Sequence, residues 1–208
     1  MRKFVLFVII SAILAPAVFA QQHDPESDFG VEVIDNGRSV RITMYTGNRT
    51  AINIPPHIRN LPVTEIGEGA FVANQLTSVI IPNSITTIGD YAFLENQLTS
   101  ITIPNSVTTI GEVAFSQNQL TSVTIPNSVT TIGEIAFSQN QLTSVTIPNS
   151  VTTIGRGAFM ENQITSITIG ANVTIGGGAF DNNFAAFYDN NRRRAGTYTF
   201  TNGNWTRR

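Results

Sequence analysis

Apolar and polar positions repeat along most of this chain with a period of about 22 residues. From Asn118 to Gln139 the sequence reads NQLTSVTIPNSVTTIGEIAFSQ, and the phrase IG-x-x-AF within it occurs six times in the chain. The phenylalanines of that phrase are spaced by 22, 22, 22, 22 and 21 residues: Phe71, Phe93, Phe115, Phe137, Phe159 and Phe180. Four near-identical units cover 74–95, 96–117, 118–139 and 140–161, with a degenerate unit at 162–182 and an irregular one at 52–71. Such self-similarity indicates a repeat protein.

Within one unit the apolar positions predict short strands instead of a helix, because they show no sustained 3.6-residue period. They are Leu120, Val123, Ile125, Val129, Ile132, Ala136 and Phe137. Val123-Thr124-Ile125 alternates inward and outward side chains, and its β-branched residues favour extended backbone. One unit cannot bury seven apolar side chains alone, but stacked units can. The sequence therefore predicts a mainly β solenoid of stacked coils of about 22 residues, with short parallel strands about 4.8 Å apart.

An open stack has two exposed ends, and the sequence predicts a β-hairpin cap at each. Residues 21–51 form the N-terminal part, with a polar, loose tether at 21–28 and a hairpin at 29–45. Asn36-Gly37 predicts a two-residue type I′ turn in that hairpin. The solenoid itself is expected to span residues 52–182.

Residues 183–208 form an aromatic and arginine-rich C-terminal cap. Phe184, Phe187 and Tyr188 have helical spacing, and Asn202-Gly203 predicts a second hairpin. The aromatic side chains either plug the last coil or contact a carbohydrate or a host protein. The plug is favoured because open solenoids need caps. Possible contacts of this tail with a partner are Arg192, Arg193, Arg194 and Trp205.

The first 20 residues have the pattern of a secretory signal peptide. Arg2 and Lys3 precede an apolar run, and Val18-Phe19-Ala20 supplies a cleavage site after Ala20. A lone membrane anchor is the alternative, but the uncharged run is short for a span of about 20 residues. We expect export to the cell surface, to the periplasm or into the medium, with no stable membrane span after cleavage.

Composition argues against several classes of function. The chain has no Cys, so disulfides cannot form, and its two His residues, His23 and His57, cannot build a His/Cys zinc cluster. Loss of Arg2 and Lys3 would change the formal net charge from −2 to −4, which does not favour nucleic acid as a partner. No nucleophile elbow, P-loop or dinucleotide fingerprint occurs. We therefore expect neither an enzyme nor a cofactor.

One charged column follows the Ile-Gly pair of each coil: Glu68, Asp90, Glu112, Glu134, Arg156 and Gly177. Its carboxylates could chelate calcium, but calcium needs six to eight oxygens around one point. A solvated acidic edge, relieved where Arg156 stands beside Glu134, is the favoured interpretation.

The longer pattern L-x-x-V-x-I-P-x-x-V-x-x-I-G-x-x-A-F resembles the BspA-like, or treponemal-type, leucine-rich repeats of bacterial surface proteins. The resemblance covers about 52–182 and implies a leucine-rich repeat solenoid. Many family members carry a Cys between the Phe and the next Leu, in a 23-residue unit. Here Asn118, Asn140 and Asn162 stand near that point in a unit one residue shorter. We expect these asparagines to be buried and to bond backbone groups of adjacent coils.

The outward side of the Ser-x-Thr strands forms the candidate binding face, predicted as a flat parallel sheet of hydroxyls. Its residues are Ser78, Thr99, Ser100, Thr102, Thr121, Ser122, Thr124, Thr143, Ser144, Thr146, Ser166 and Thr168. In leucine-rich repeat proteins this is the side where partners usually bind. The family resemblance implies adhesion to host matrix proteins or to other bacteria.

Two further interpretations remain open. Threonine also favours strands and solubility without any ligand. Packing does not require Thr121, Ser122 and Thr124, so either the face is useful or the repeats duplicated recently. The alternative function is a structural envelope protein that associates with itself and has no host ligand.

Overall fold

Two short strands recur in each coil because β-branched residues occupy two stretches of every repeat. The computed structural model describes residues 22–208, so the predicted signal peptide lies outside the described residues. In chain order the strands are β1 (Phe29–Ile34), β2 (Ser39–Tyr45), β3 (Ala51–Asn53), β4 (His57–Ile58), β5 (Leu61–Ile66), β6 (Ser78–Ile80), β7 (Thr87–Ile88), β8 (Ser100–Thr102), β9 (Thr109–Ile110), β10 (Ser122–Thr124), β11 (Thr131–Ile132), β12 (Ser144–Thr146), β13 (Thr153–Ile154), β14 (Ser166–Ile169), β15 (Thr174–Ile175), β16 (Gly196–Thr201) and β17 (Asn204–Arg207). One helix, α1 (Phe184–Asn190), precedes β16, and short 3-10 turns cover Glu26–Asp28 and Asp35–Gly37.

The Thr-Ile strands of successive coils join into one sheet. Its order is β1-β2-β5-β7-β9-β11-β13-β15, with β4 paired to β5. From β5 onward the strands of this path are parallel and in register, so that Thr109 of β9 pairs with Thr131 of β11. The chain is 32% strand and 7% helix and makes about six turns of about 22 residues. The prediction of a mainly β solenoid is confirmed.

The Ser-x-Thr strands behave differently, and here the prediction of one flat sheet is wrong. They pair as β3 with β6, β8 with β10 and β12 with β14, and the ladder is interrupted between β6 and β8 and between β10 and β12. Within each pair the register is the predicted one, with Ser100 opposite Ser122 and Thr102 opposite Thr124. Backbone contact between β10 and β12 persists beside the interruption, through the bond from Gln141 N–H to the Leu120 carbonyl at 2.9 Å.

A column of stacked phenylalanines forms the centre of the core. Phe71, Phe93, Phe115, Phe137, Phe159 and Phe180 lie with neighbouring ring centroids 4.9–5.3 Å apart and planes within 10° of parallel. All six are buried. Because each ring covers its neighbour, the centroid separation sets the rise from one coil to the next.

A column of glycines lets the coils approach this closely. A Cβ built on Gly111 would stand 2.5 Å from the backbone carbon of Gly89, and one on Gly133 would stand 2.5 Å from that of Gly111. The same crowding meets Gly155 and Gly176. The glycine of the IG-x-x-AF phrase is therefore required by close approach of two backbones.

The asparagines bridge the coils as predicted. The side-chain oxygens of Asn96, Asn118, Asn140 and Asn162 accept the backbone N–H of Leu76, Leu98, Leu120 and Leu142 at 2.9–3.1 Å. Their amide nitrogens donate to the carbonyls of Phe71, Phe93, Phe115 and Phe137 at 2.7–3.0 Å. Each asparagine thus satisfies backbone groups that a coil corner would leave unpaired.

The N-terminal cap differs from its prediction in two places. The β1–β2 hairpin forms and β2 extends the sheet beside β5, but Ile34 pairs with Ser39, which leaves a four-residue loop instead of a type I′ turn. Asp35 and Asn36 both adopt positive φ in that loop, and the Asp35 carboxylate accepts the Ser39 hydroxyl, which favours the wider turn.

Residues 22–28 are not a loose tether. Asp24 is 5% exposed, forms an ion pair with Arg49 at 2.6 Å, and exchanges backbone and carboxylate hydrogen bonds with Asn53 of β3. Glu26 accepts the N–H of Arg59 at 2.9 Å. This segment therefore covers the outer edge of β3, while the hairpin covers the edge of β5.

The C-terminal cap closes the other end. Strand β16 pairs antiparallel with β14 and with β17, which confirms the second hairpin. The Phe184 ring meets Phe180 edge-on at 5.3 Å and also contacts Tyr198 and Trp205. Phe184, Tyr188 and Tyr198 are fully buried, which supports the plug as the role of these aromatic side chains.

Candidate interaction surface

The residues predicted to face outward do so, because each Ser-x-Thr strand alternates its side chains. Ser100 and Thr102 are exposed while Ile101 between them is buried, and β12 repeats this pattern. We call the outward side the hydroxyl face. Ten of its twelve predicted residues are exposed, and Ser166 and Thr168 are half-buried.

One set of threonines on this face has a structural role that the sequence did not reveal. The Thr121 hydroxyl donates to the Thr99 carbonyl of the preceding coil at 3.2 Å, and the Thr77 hydroxyl donates to the Thr50 carbonyl at the same distance. The expectation that packing does not require Thr121 is therefore wrong. Thr124 and Ser122 form no such bond, so their hydroxyls point to solvent without a partner among the described residues.

A groove opens on the hydroxyl face where the ladder between β6 and β8 is interrupted. It has a volume of about 260 Å³ and is lined by Ser78, Val79, Ile80, Ile81, Asn83, Ser100, Thr102 and Pro104. Ile80 is 45% exposed and stands where later coils carry Thr102, Thr124 and Thr146. The groove is thus the place where an otherwise hydroxyl-lined face presents apolar surface.

The C-terminal cap lengthens the hydroxyl face, which sequence reasoning missed. Thr199 and Thr197 of β16 stand opposite Ser166 and Thr168 of β14, and the hydroxyls of Thr168 and Thr197 lie 2.9 Å apart. The signal was present in the strand sequence GTYTFT, whose threonines alternate with the buried Tyr198. The cap therefore continues the face as well as plugging the core.

The arginine-rich tail is divided between surface and structure. Arg192 and Arg194 are exposed, whereas Arg193 pairs with Asp189 at 2.7 Å. Trp205 is 6% exposed and its indole N–H donates to the Asn182 carbonyl at 3.0 Å. Because its ring lies in the plug, Trp205 leaves the set of possible partner contacts.

The acidic column lies along another side of the coils. Arg156 approaches Glu134 at 3.4 Å, as expected, and Asp90 accepts the backbone N–H of Glu112 at 2.8 Å. Within residues 22–208 no group of three or more His, Cys, Asp or Glu side chains is placed to hold a metal ion.

The raised pKa values belong to structural groups. Burial raises the pKa of Tyr45, Tyr188 and Tyr198, whose rings lie in the two caps. The hydrogen bond from Glu65 is the main cause of the raised pKa of Arg41. These groups belong to the caps or to ion pairs between β2 and β5, and none lies on the hydroxyl face.

A membrane-spanning helix was searched for in the described part of the chain, and none of its helices has the length and apolar character to cross a bilayer.

Comparisons with known proteins agree with this geometry. The family model described as "BspA type Leucine rich repeat region" matches six copies over residues 64–186, which extends four residues past the predicted end of the solenoid. A leucine-rich repeat protein of Treponema pallidum shares 25% sequence identity with a TM-score of 0.58, covering 76% of this chain and 82% of that one. None of the curated proteins matches the sequence.

Two other solved structures are similar at lower TM-scores. A leucine-rich cell surface protein of Faecalibacterium prausnitzii is 25% identical with a TM-score of 0.41, covering 88% of this chain and 60% of that one. A leucine-rich repeat protein of Bacteroides capillosus is 24% identical with a TM-score of 0.45, covering 72% and 95%. Since the family model spans more than half of the chain, and the repeats form its predicted solenoid, this protein belongs to the BspA-type leucine-rich repeat family.

Proposed function

We propose that this protein is an exported, non-enzymatic binding module that recognises another protein through its hydroxyl face. The family is of a protein-interaction scaffold type. The finer proposal is adhesion to host matrix proteins or to other cells. One observation carries it: Ser122, Thr124 and their equivalents are exposed in register over several coils, although the core does not need them.

The chemistry of the face favours a protein partner. Hydroxyls both donate and accept hydrogen bonds, so rows of them can match the alternating N–H and carbonyl groups of a polypeptide. The groove beside Ile80 adds an apolar site among these polar groups. An apolar anchor surrounded by polar contacts is the usual anatomy of a protein interface.

Export rests on the sequence of residues 1–20. The final address, whether cell surface, periplasm or medium, is tested by treating intact cells with an external protease. Cleavage of the protein on intact cells supports surface display, and protection until the envelope is opened supports the periplasm.

The binding proposal is tested by retention of the purified protein on immobilised fibronectin, other matrix proteins and host cells. The variant Thr102→Glu/Thr124→Glu/Thr146→Glu places three carboxylates on the hydroxyl face, and we expect it to lose retention. The matched control is Thr108→Glu/Thr130→Glu/Thr152→Glu, which alters three exposed threonines outside that face. Equal retention by the folded face variant and the wild type would exclude the hydroxyl face as the binding surface.

A further inference from the structure

A turn of the sequence Gly-x-y-Ala recurs in every coil, and its third residue has a left-handed backbone. The φ angles at this position lie between 58° and 64°. We call this set the left-handed column: Gly69, Tyr91, Val113, Ile135, Gly157 and Gly178. Three of its members are glycine, the residue that adopts positive φ without strain.

Tyr91, Val113 and Ile135 hold the same conformation at a cost. Left-handed backbone costs a residue with a Cβ about 1–2 kcal/mol, and it is a true outlier for a β-branched side chain. In the glycine coils the Ala N–H closes the turn onto the Gly carbonyl, at 3.3 Å for Ala70 and 3.1 Å for Ala179. No equivalent bond forms from Ala92, Ala114 or Ala136 within the described chain. Glycine would relieve this strain, yet three consecutive coils lack it.

The strained side chains form a strip of apolar surface. Tyr91 is 39% exposed, and Val113 and Ile135 of the next two coils are half-buried. Val72, 36% exposed, stands at the same end of the solenoid. Burial therefore compensates only part of the backbone strain, and strain that is retained at a surface suggests a role in binding.

Negative charge flanks this strip. Asp90, Glu112 and Glu134 directly precede the three strained residues, and Glu68 extends the row by one coil. Glu134 has Arg156 at 3.4 Å, whereas Glu68, Asp90 and Glu112 have no ion-pair partner among residues 22–208. We call the strip and these carboxylates together the acidic ridge. Its chemistry fits a basic surface that also carries apolar groups.

The C-terminal cap of this chain has that chemistry. Arg192 and Arg194 are exposed and form no ion pair within the described residues. The half-buried rings of Phe187 and Phe200 belong to the same cap. Since the cap lies beyond Phe180, three coils past Phe115, its arginines do not reach Glu112 of their own molecule but can reach that of another.

We infer that the acidic ridge of one molecule binds the arginine-rich C-terminal cap of a second copy. Two different surfaces meet in this contact, so association is heterologous and continues as an open chain of copies unless the rotation closes a ring. Exposed ion pairs contribute little each and are screened by salt, so the apolar strip and low salt both favour the contact. The hydroxyl face remains free for the proposed partner.

Charge exchange tests this inference by sedimentation velocity and light scattering at low and high salt. The ridge variant is Glu68→Arg/Glu112→Arg, and Arg156 in the same column shows that the fold accepts arginine there. The cap variant is Arg192→Glu/Arg194→Glu. Wild type is expected to form larger species as concentration rises, each variant alone is expected to stay monomeric, and an equimolar mixture of the two is expected to associate again.

A second variant separates binding from folding. Val113→Gly/Ile135→Gly removes the apolar strip and relieves the strain, so it is expected to weaken association while the denaturation midpoint stays the same or rises. The matched control, Thr102→Glu/Thr124→Glu/Thr146→Glu, lies on the hydroxyl face and should associate as wild type does.

Two results would overturn the inference. One is a wild-type protein that stays monomeric at low salt up to about 1 mM, where even weak contacts are populated. The other is association that survives in the ridge and cap variants alone. Either result leaves ligand binding by the hydroxyl face untouched, so failure of the two proposals can be distinguished.

Discussion

The side-chain oxygen of Asn118 accepts the backbone N–H of Leu98, twenty residues earlier, at 3.1 Å. The amide nitrogen of the same side chain lies 2.9 Å from the Phe93 carbonyl and 3.2 Å from that of Phe115. One buried side chain therefore joins backbone groups of two coils, and each asparagine of the column repeats the arrangement.

Asn118→Ala is expected to destabilise the protein by about 1–3 kcal/mol for each buried backbone group that loses its partner. The urea midpoint of unfolding measures the loss. Gln119→Ala is the control, because it removes a neighbouring exposed amide. Similar midpoints for the two variants would show that the asparagine column contributes no stability.

Gly111→Ala is expected to destabilise by about 1–3 kcal/mol, because the new Cβ would overlap the backbone of the preceding coil. Gly177→Ala is the matched control: a Cβ there meets nothing within 4 Å. Its stability should stay within about 0.5 kcal/mol of wild type. Thermal unfolding of both variants checks the prediction, and a control that is as unstable as Gly111→Ala would contradict the crowding argument.

Ile80→Thr gives the first full coil the residue that later coils have on the hydroxyl face. Since Ile80 is 45% exposed, we expect stability to change by less than about 0.5 kcal/mol. If the groove receives an apolar side chain of the partner, binding should weaken about tenfold, which equals about 1.4 kcal/mol. Thr124→Ser on the same face, away from the groove, should bind normally in the retention assay. Unchanged binding by Ile80→Thr would remove the groove from the proposed surface.

Alkaline pH is expected to destabilise the caps. Burial raises the pKa of Tyr188 above its ordinary value of 10.0, so the unfolded chain loses this proton at a lower pH than the folded protein. Stability is therefore constant below about pH 10 and falls as pH rises from there toward the folded pKa, by up to about 1.4 kcal/mol per pH unit for each such tyrosine.

Urea midpoints measured from about pH 8 to pH 11 give this slope. In Tyr188→Phe the slope should be smaller, while stability at neutral pH falls because the Tyr188 hydroxyl bonds the Gly170 and Arg193 carbonyls. Midpoints of the wild-type protein that do not change across pH 10 would disprove the linkage.

The repeating part of the fold could be predicted because each residue type has the same partner in every coil. Phe115, Asn118 and Gly111 each contact their counterpart coil through a contact that recurs at the same interval. One unit of sequence therefore specifies the core, the corner hydrogen bonds and the close approach together.

The ends and the sheet continuity could not be predicted in this way. Asp24 occurs in a segment without a repeat, so no pattern announced its contacts with Arg49 and Asn53. The strands β6 and β8 have nearly the same sequence as β8 and β10, yet only the second pair forms a ladder. That difference depends on small changes in how successive coils are placed, which residue identity does not encode.

The hydroxyl face was located correctly, but its extent and its exception were not. The repeat ends at residue 182, so Thr197 and Thr199 of the cap were outside the pattern that defined the face. Ile80 was visible as a departure from the Thr column, but only the interrupted ladder beside it creates a groove.

The aromatic contacts of each cap reach the nearest coil of the stack, with Phe29 and Tyr45 on Phe71 and Phe184 on Phe180. Between them, units 96–117 and 118–139 differ at only two positions. Recombination between such similar stretches of gene could insert or delete a whole coil without disturbing either cap. Each such event would change the length of the protein by about one ring spacing, 5.2–5.3 Å, and would add or remove one row of hydroxyls. The reach of this molecule is thus inherited as a number of copies, which a lineage can alter in a single step.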